Sequence, residues 1–171
     1  MVTTTQDLRE IVATVPDPEL PVVTIEQLGI LRDVRVGPSG HVTVDITPTY
    51  SGCPAMDAIR ADIVARLAEH GIHSVDVRTE LAPAWTTDWI TPDGRAALEE
   101  HGIAPPGRDT LLSRGRKSHG PAAPIDLTLS VRCPHCGSPD TRELSRFGST
   151  ACKALWVCRA CQEPFDHVKA L

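Results

Sequence analysis

Leu8, Ile11, Val12 and Val15 recur at i, i+3, i+4 and i+7, the period of one helix face. The pattern predicts an amphipathic helix that opens near the threonines and stops at Pro16. Asp17-Pro18-Glu19-Leu20-Pro21 then alternates carboxylates with prolines, which makes a stiff, non-helical turn that holds its acidic groups in place. On local sequence the plainer reading is a solvated turn. Thr24 and Gln27 form a capping-box pattern for one short helical turn, Ile25 to Leu28, ahead of Gly29,. Ile30, Val34 and Val36 alternate with charged positions, Gly37-Pro38-Ser39-Gly40 turns the chain, and Val42, Val44 and Ile46 alternate again. This is a β-hairpin with one buried face. After a loop from Thr47 to Pro54, Met56, Ile59, Ile63, Val64 and Leu67 form the apolar stripe of a second helix, with Pro54 suited to its first position and Gly71 ending it,. Val75 and Val77 supply a third strand. The predicted fold class is α+β, a small sheet with helices packed on it.

The pattern weakens from residue 81 onward. Trp85 and Trp89 flank Thr86-Thr87-Asp88, and Thr91-Pro92 starts a helix through Ala96, Ala97 and Leu98 that Gly102 ends,. Core filling is the default role for such tryptophans, interface anchoring the alternative. His70, His73 and His101 sit beside glycines at helix ends, where the helix dipole favours them,. Residues 105–130 are rich in Pro, Gly, Ser and Arg, include Arg114-Gly115-Arg116-Lys117, and read as a flexible linker,. The domain plan is therefore 1–104, a linker over 105–130, and 131–171, where Phe147, Leu155, Trp156 and Phe165 offer a miniature core.

Composition and charge narrow the function classes. The chain of 171 residues is 41% hydrophobic and 23% charged, ordinary usage for a soluble globular protein. No export signal or 18-residue apolar run is visible, so a cytoplasmic location without a membrane partner is expected. Residues 1–104 hold 16 acidic and 7 basic side chains, a net of −9, while 105–130 and 131–171 each carry +2. That distribution argues against a nucleic-acid partner.

The candidate chemistry is carried by six cysteines. Cys133-Pro134-His135-Cys136 and Cys158-Arg159-Ala160-Cys161 are two Cys-x-x-Cys pairs whose four sulfurs suit one tetrahedral metal,. Structural zinc leads, and the same thiolates also serve a single iron or a cluster. With few residues around the ligands, metal binding becomes folding energy for this ribbon. His135 is expected to point away, and Cys152 to be buried, with a role as an accessory thiol open to it. Cys53 falls at or near the start of the second helix, where the dipole and unpaired N–H groups would lower its pKa and Asp57 would push modestly the other way. A small buried thiol is the plainer reading.

Asp17-Pro18-Glu19-Leu20-Pro21 with Leu28-Gly29-Ile30, Thr47-Pro48-Thr49 and Cys53-Pro54 resembles the domain shared by bacterial SufT-like proteins and eukaryotic cytosolic iron-sulfur targeting factors. Thr87-Asp88-Trp89-Ile90, Gly94-Arg95, His101-Gly102-Ile103-Ala104-Pro105-Pro106 and the ribbon with Phe147-Gly148-Ser149-Thr150-Ala151-Cys152-Lys153-Ala154 extend the resemblance to the PaaD family, accessory subunits of bacterial phenylacetyl-CoA epoxidase. The resemblance implies a non-catalytic assembly factor in aerobic phenylacetate degradation that assists iron or iron-sulfur delivery to epoxidase subunits or works with the iron-sulfur machinery. It makes Cys53 the functional thiol for transient iron or cluster binding, with Asp17 and Glu19 near it. Alternatives are a structural adaptor subunit of the epoxidase complex and, more remotely, a thiol enzyme. Two copies could pair through the sheet or across Cys53 as a homodimer. No Glu-x-x-His pair for a di-iron site and no Gly-rich nucleotide loop occurs,.

Overall fold

The computed structural model describes residues 4–50, 52–107 and 131–169. Most of 105–130, with the Arg114 to Lys117 run, lies outside the described residues. The chain divides into two compact units at His101/Gly102. Among the described residues no helix is long and apolar enough to cross a membrane.

The first unit opens with helix α1, Thr5–Ala13, whose entry is fixed by a reciprocal cap: Asp7 N–H donates to Thr4 Oγ1 and Thr4 N–H to Asp7,. Leu8, Val12 and Val15 are buried, as the period predicts, and Ile11 is half-buried. The hairpin pairs β1, Leu31–Val36, with β2, Val42–Ile46, antiparallel. Helix α2, Ala55–Glu69, carries the chain across to β3, Val75–Thr79, which lies parallel to β2 and completes a sheet of order β1-β2-β3. Met56, Ile59, Ile63 and Leu67 of α2 are buried together with Val34, Val42, Val44 and Ile46 of the sheet.

Two local expectations are corrected. Val64 and Val36 are exposed, Val64 beside the buried stripe of α2 and Val36 as the last residue of β1, on the core face but at its end. Pro54 is the N-cap of α2 and the helix begins at Ala55. Ile25 to Leu28 forms the single helical turn expected, Leu28 N–H donating to Thr24 O, with the Thr24/Gln27 reciprocal cap in place. On the other sheet face Asp45 is 1% exposed, and Arg35 pairs with both it and Asp33, which offsets the cost of burying a carboxylate.

The segment from Leu81 to His101 closes onto the turn that follows α1. Trp85 is buried and its Nε1 donates to Leu28 O at 2.8 Å. Thr91 N–H donates to Gln27 O, and the Arg32 guanidinium lies 3.6 Å over the Trp89 ring. These tryptophans therefore pack within the unit. A 3₁₀ turn, Thr87–Trp89, leads to α3, Pro92–Glu100, capped by Thr91 and closed by His101, whose Nδ1 lies 2.8 Å from Ala97 O. His70 closes α2 in the same way against Arg66 O, so both histidines serve helix ends as expected.

Ile103–Ala104, at the end of the stretch that the sequence groups with the front domain, forms a short strand, β4, in the sheet of the second unit. That sheet has the order β4-β7-β6-β5, with β5 Thr141–Ser145, β6 Lys153–Cys158 and β7 Pro164–Val168. One buried cluster is Ala104, Cys133, Cys158 and Phe165, against which Val131, Trp156 and Cys161 pack, and Cys152, Ala154 and Val168 are buried as well. Phe147, expected in this core, is instead 73% exposed.

Gly29 tests the clamp between the Leu81–His101 segment and the Gln27 to Gly29 stretch. It has φ +72°, and an added Cβ would meet Trp89 at 2.5 Å. Gly40 has φ +77° with open space around it. Gly40→Ala should cost about 1 kcal/mol from backbone strain alone, and Gly29→Ala more than about 2 kcal/mol because Trp89 must also shift. Urea midpoints for the two variants measure the difference.

Candidate functional site

The four ribbon cysteines arise from two matching turns. Gly137 N–H donates to Cys133 O at 2.9 Å, and Gln162 N–H donates to Cys158 O at 3.0 Å. Both Gly137, at φ +72°, and Gln162, at φ +64°, occupy the left-handed region, so the second turn accepts at a glutamine the strain that the first avoids with glycine. All four sulfurs lie within 4.8 Å of one another, with Cys133 to Cys161 at 3.7 Å and Cys136 to Cys158 at 3.6 Å. A tetrahedron of thiolates about 2.3 Å from one metal places sulfurs about 3.8 Å apart. The donor set therefore fits a single tetrahedral ion, whereas a multi-iron cluster, whose thiolates bind different irons, would hold the sulfurs farther apart.

Second contacts favour the charged form of one ligand. The N–H groups of Cys161, 3.5 Å from Cys158 Sγ, and Ala160 hold the Cys158 thiol down to about 7,. The His135 ring packs toward Gly102 and lies outside the ligand group. Cys152 is buried, 3.0 Å from Thr150 Oγ1, and is likewise not one of the four.

In the first unit Cys53 sits just ahead of α2, beyond the carboxyl end of β2. Its carbonyl accepts from Met56 N–H at 3.4 Å, and its own N–H donates to Tyr50 O at 3.3 Å. The thiol is half-buried. Burial raises its pKa. The Ala55 N–H pulls it down, Glu19 and then Asp17 push it up by like charge, and a hydrogen bond with Tyr50 pulls it down, with the net shift upward,. The expectation of a depressed pKa is thus overturned, because desolvation and two carboxylates outweigh the helix end. Asp57 plays no part in this balance; it is exposed and paired with Arg60 at 2.6 Å.

The acidic turn is a built structure. Asp17 is 5% exposed, and its Oδ1 accepts from Glu19 N–H at 2.9 Å and Leu20 N–H at 2.7 Å, an Asx-type turn. Asp17 N–H to Val23 O and the Pro16/Thr24 bridge close the loop. This replaces the solvated-turn reading. Cys53, Asp17 and Glu19 interact electrostatically, yet among the described residues the four ribbon cysteines are the only group of three or more potential ligands gathered within 4.8 Å. Sequence reasoning missed Tyr50, since nothing local marks a phenol three residues before a cysteine as its partner.

A small α+β domain followed by a four-cysteine ribbon is the class of protein that this fold and site define. Residues 5–77 match the family described as "Iron-sulfur cluster assembly protein", and residues 118–169 match "PaaD zinc beta ribbon domain". The chain belongs to the PaaD family, which it shares with a "Putative 1,2-phenylacetyl-CoA epoxidase" component of Escherichia coli (strain K12), at 45% identity over 161 residues, 94% of this chain and 90% of that relative. The "Fe-S protein maturation auxiliary factor" of Porphyromonas gingivalis (strain ATCC BAA-308 / W83) is 33% identical over 56% of this chain and 90% of its own length. A solved domain of unknown function, DUF59 from Bacillus anthracis, has a TM-score of 0.52 and 26% identity, covering 55% of this chain and 90% of its own.

Two outcomes test the sites. Chelation of the metal should abolish strand signals from β5, β6 and β7 while those of β1 to β3 persist, readable by NMR of the whole chain. The Cys53 thiolate fraction should rise only above the pH range of an ordinary cysteine, since its folded pKa is raised. Glu19→Gln should move that profile to lower pH, as followed by alkylation rate at Cys53.

Proposed function

We propose that the chain is a maturation factor for phenylacetyl-CoA epoxidase in phenylacetate degradation, in which Cys53 transiently holds iron or an iron-sulfur cluster bound for partner subunits. The observation that carries this reading is the balance at the thiol. Glu19 and Asp17 penalise a thiolate there, and the same negative charges favour a bound cation. A soft metal arriving at Cys53 displaces the thiol proton, and the carboxylates that resisted ionisation then stabilise the cation–thiolate pair. The Ala55 N–H and the Tyr50 hydroxyl are placed to hydrogen-bond the sulfur in its charged state,.

The ribbon has a different part. Its four sulfurs are assigned to zinc, which has no redox chemistry and leaves no open position in a four-thiolate site. Metal analysis should give one zinc per ribbon in colourless protein. The names of the relatives agree with an accessory role, one a component of an epoxidase and another an iron-sulfur maturation factor.

Cys53→Ala should abolish or strongly reduce epoxidase activity in cells growing on phenylacetate while leaving the ribbon metallated. Full epoxidase activity in that variant would overturn the reading.

A further inference from the structure

Phe147 is the most exposed large apolar side chain in the described structure, at 73%. It is not loose. Ser145 Oγ donates to Phe147 O at 2.9 Å, and Phe147 N–H donates back to Ser145 Oγ at 3.2 Å. The next residue is tied down as well, Gly148 N–H donating to Lys153 O at 2.9 Å. A side chain of this size recovers about 1.5–3 kcal/mol on burial, so a rigid turn that holds it in water leaves that energy for a partner.

Its surroundings are cationic and partly apolar. β5 is an edge strand of its sheet. Leu144, at 45%, is exposed on it, and the irregularity between Glu143 and Ser145 sets it outward from the regular register. Arg142 and Arg146 are exposed beside it, and Lys169 Nζ lies 5.2 Å from the Phe147 ring centroid while donating to Arg146 O at 3.3 Å. The acidic neighbours are engaged, Glu143 with Arg146 at 3.9 Å and Asp166, beside Gly148, with Lys153 at 3.3 Å. An aromatic anchor with a second apolar contact and a basic rim complements an apolar pocket rimmed by carboxylates.

We propose that Phe147 and Leu144, ringed by Arg142, Arg146 and Lys169, form the surface by which the ribbon docks onto an acidic, apolar-pocketed face of the client protein. The inference rests on the client reading given above and adds to it where on the chain the client is held. The preformed turn lowers the ordering cost of docking. The basic rim sets orientation and salt dependence more than affinity.

The test uses the full chain and each of the other epoxidase subunits from the same organism, purified individually, with binding followed by titration calorimetry. Wild-type chain should bind at least one subunit, more weakly as salt rises. Phe147→Ala should bind about 30-fold more weakly, the loss of a central hot spot, Phe147→Leu should retain most of the affinity, and Arg146→Glu should weaken binding chiefly at low salt. Leu81→Ala, an equally exposed apolar site in the first unit, should change nothing. Unaltered metal content and circular dichroism confirm that Phe147→Ala is folded. Binding of wild type and Phe147→Ala with equal affinity overturns the docking surface and leaves the client reading intact. Absence of binding to every subunit overturns both. Self-association that vanishes in Phe147→Ala, with client binding unchanged, assigns the surface to a second copy and overturns the proposal.

Discussion

Four sulfur atoms gathered within 4.8 Å hold the C-terminal unit together. The buried cluster around the sulfurs is Ala104, Cys133, Cys158 and Phe165, and two of these are themselves in the sulfur group. Without an ion between them, Cys133 and Cys158 would bury polarisable groups that attract one another weakly. With one, the turns that begin at Cys133 and Cys158 are pinned together, and the strands between them inherit a register. The strain accepted at Gln162 makes sense in those terms, since ligand geometry, set by the second turn, outweighs a local backbone cost of about 1–2 kcal/mol.

The first unit depends on burial of one sheet face, and that packing shapes the Cys53 site. The hairpin and the β2-α2-β3 crossover bring the Thr47 to Pro54 loop to the carboxyl end of the parallel strands, the usual place for a ligand in open sheets with helical crossovers,. The acidic turn reaches the same neighbourhood, tied by Asp17 N–H to Val23 O and flanked by Ile25 N–H to Val15 O, while Trp85, Trp89 and Thr91 clamp the Gln27 to Gly29 stretch that follows. The charge around Cys53 is therefore a tertiary product, assembled from a turn more than 30 residues earlier in the chain.

This explains what the sequence could and could not disclose. Helices, hairpin and caps were legible because each is written locally: Leu8, Val12 and Val15 repeat with the helix, and Thr24 and Gln27 cap each other across three residues. The four ligand cysteines were legible because their spacing reports a turn that needs no distant partner. The Cys53 pKa was read with the wrong sign, since the helix end is local while desolvation, Glu19 and Asp17 are not. Phe147 was misplaced for a related reason. Hydrophobicity says that a phenylalanine gains from burial, and the Ser145 hydroxyl that ties down its backbone has no apolar signature. Val64 shows the same limit on a helix, where a stripe identifies the buried face without fixing how wide that face is.

On the proposed function the chain uses cysteine for two opposed tasks, and the surroundings separate them. Retention calls for several sulfurs gathered around one ion, and at Cys158 backbone N–H groups also lower the pKa to about 7. Release calls for a single sulfur whose charged form is never secure, and Cys53 meets that demand through burial and two neighbouring carboxylates. A metal held there competes with a proton that the site prefers at neutral pH, so departure of the metal costs less than it would from the ribbon. On the proposed function, the raised pKa is thus what would suit Cys53 to pass its cargo on.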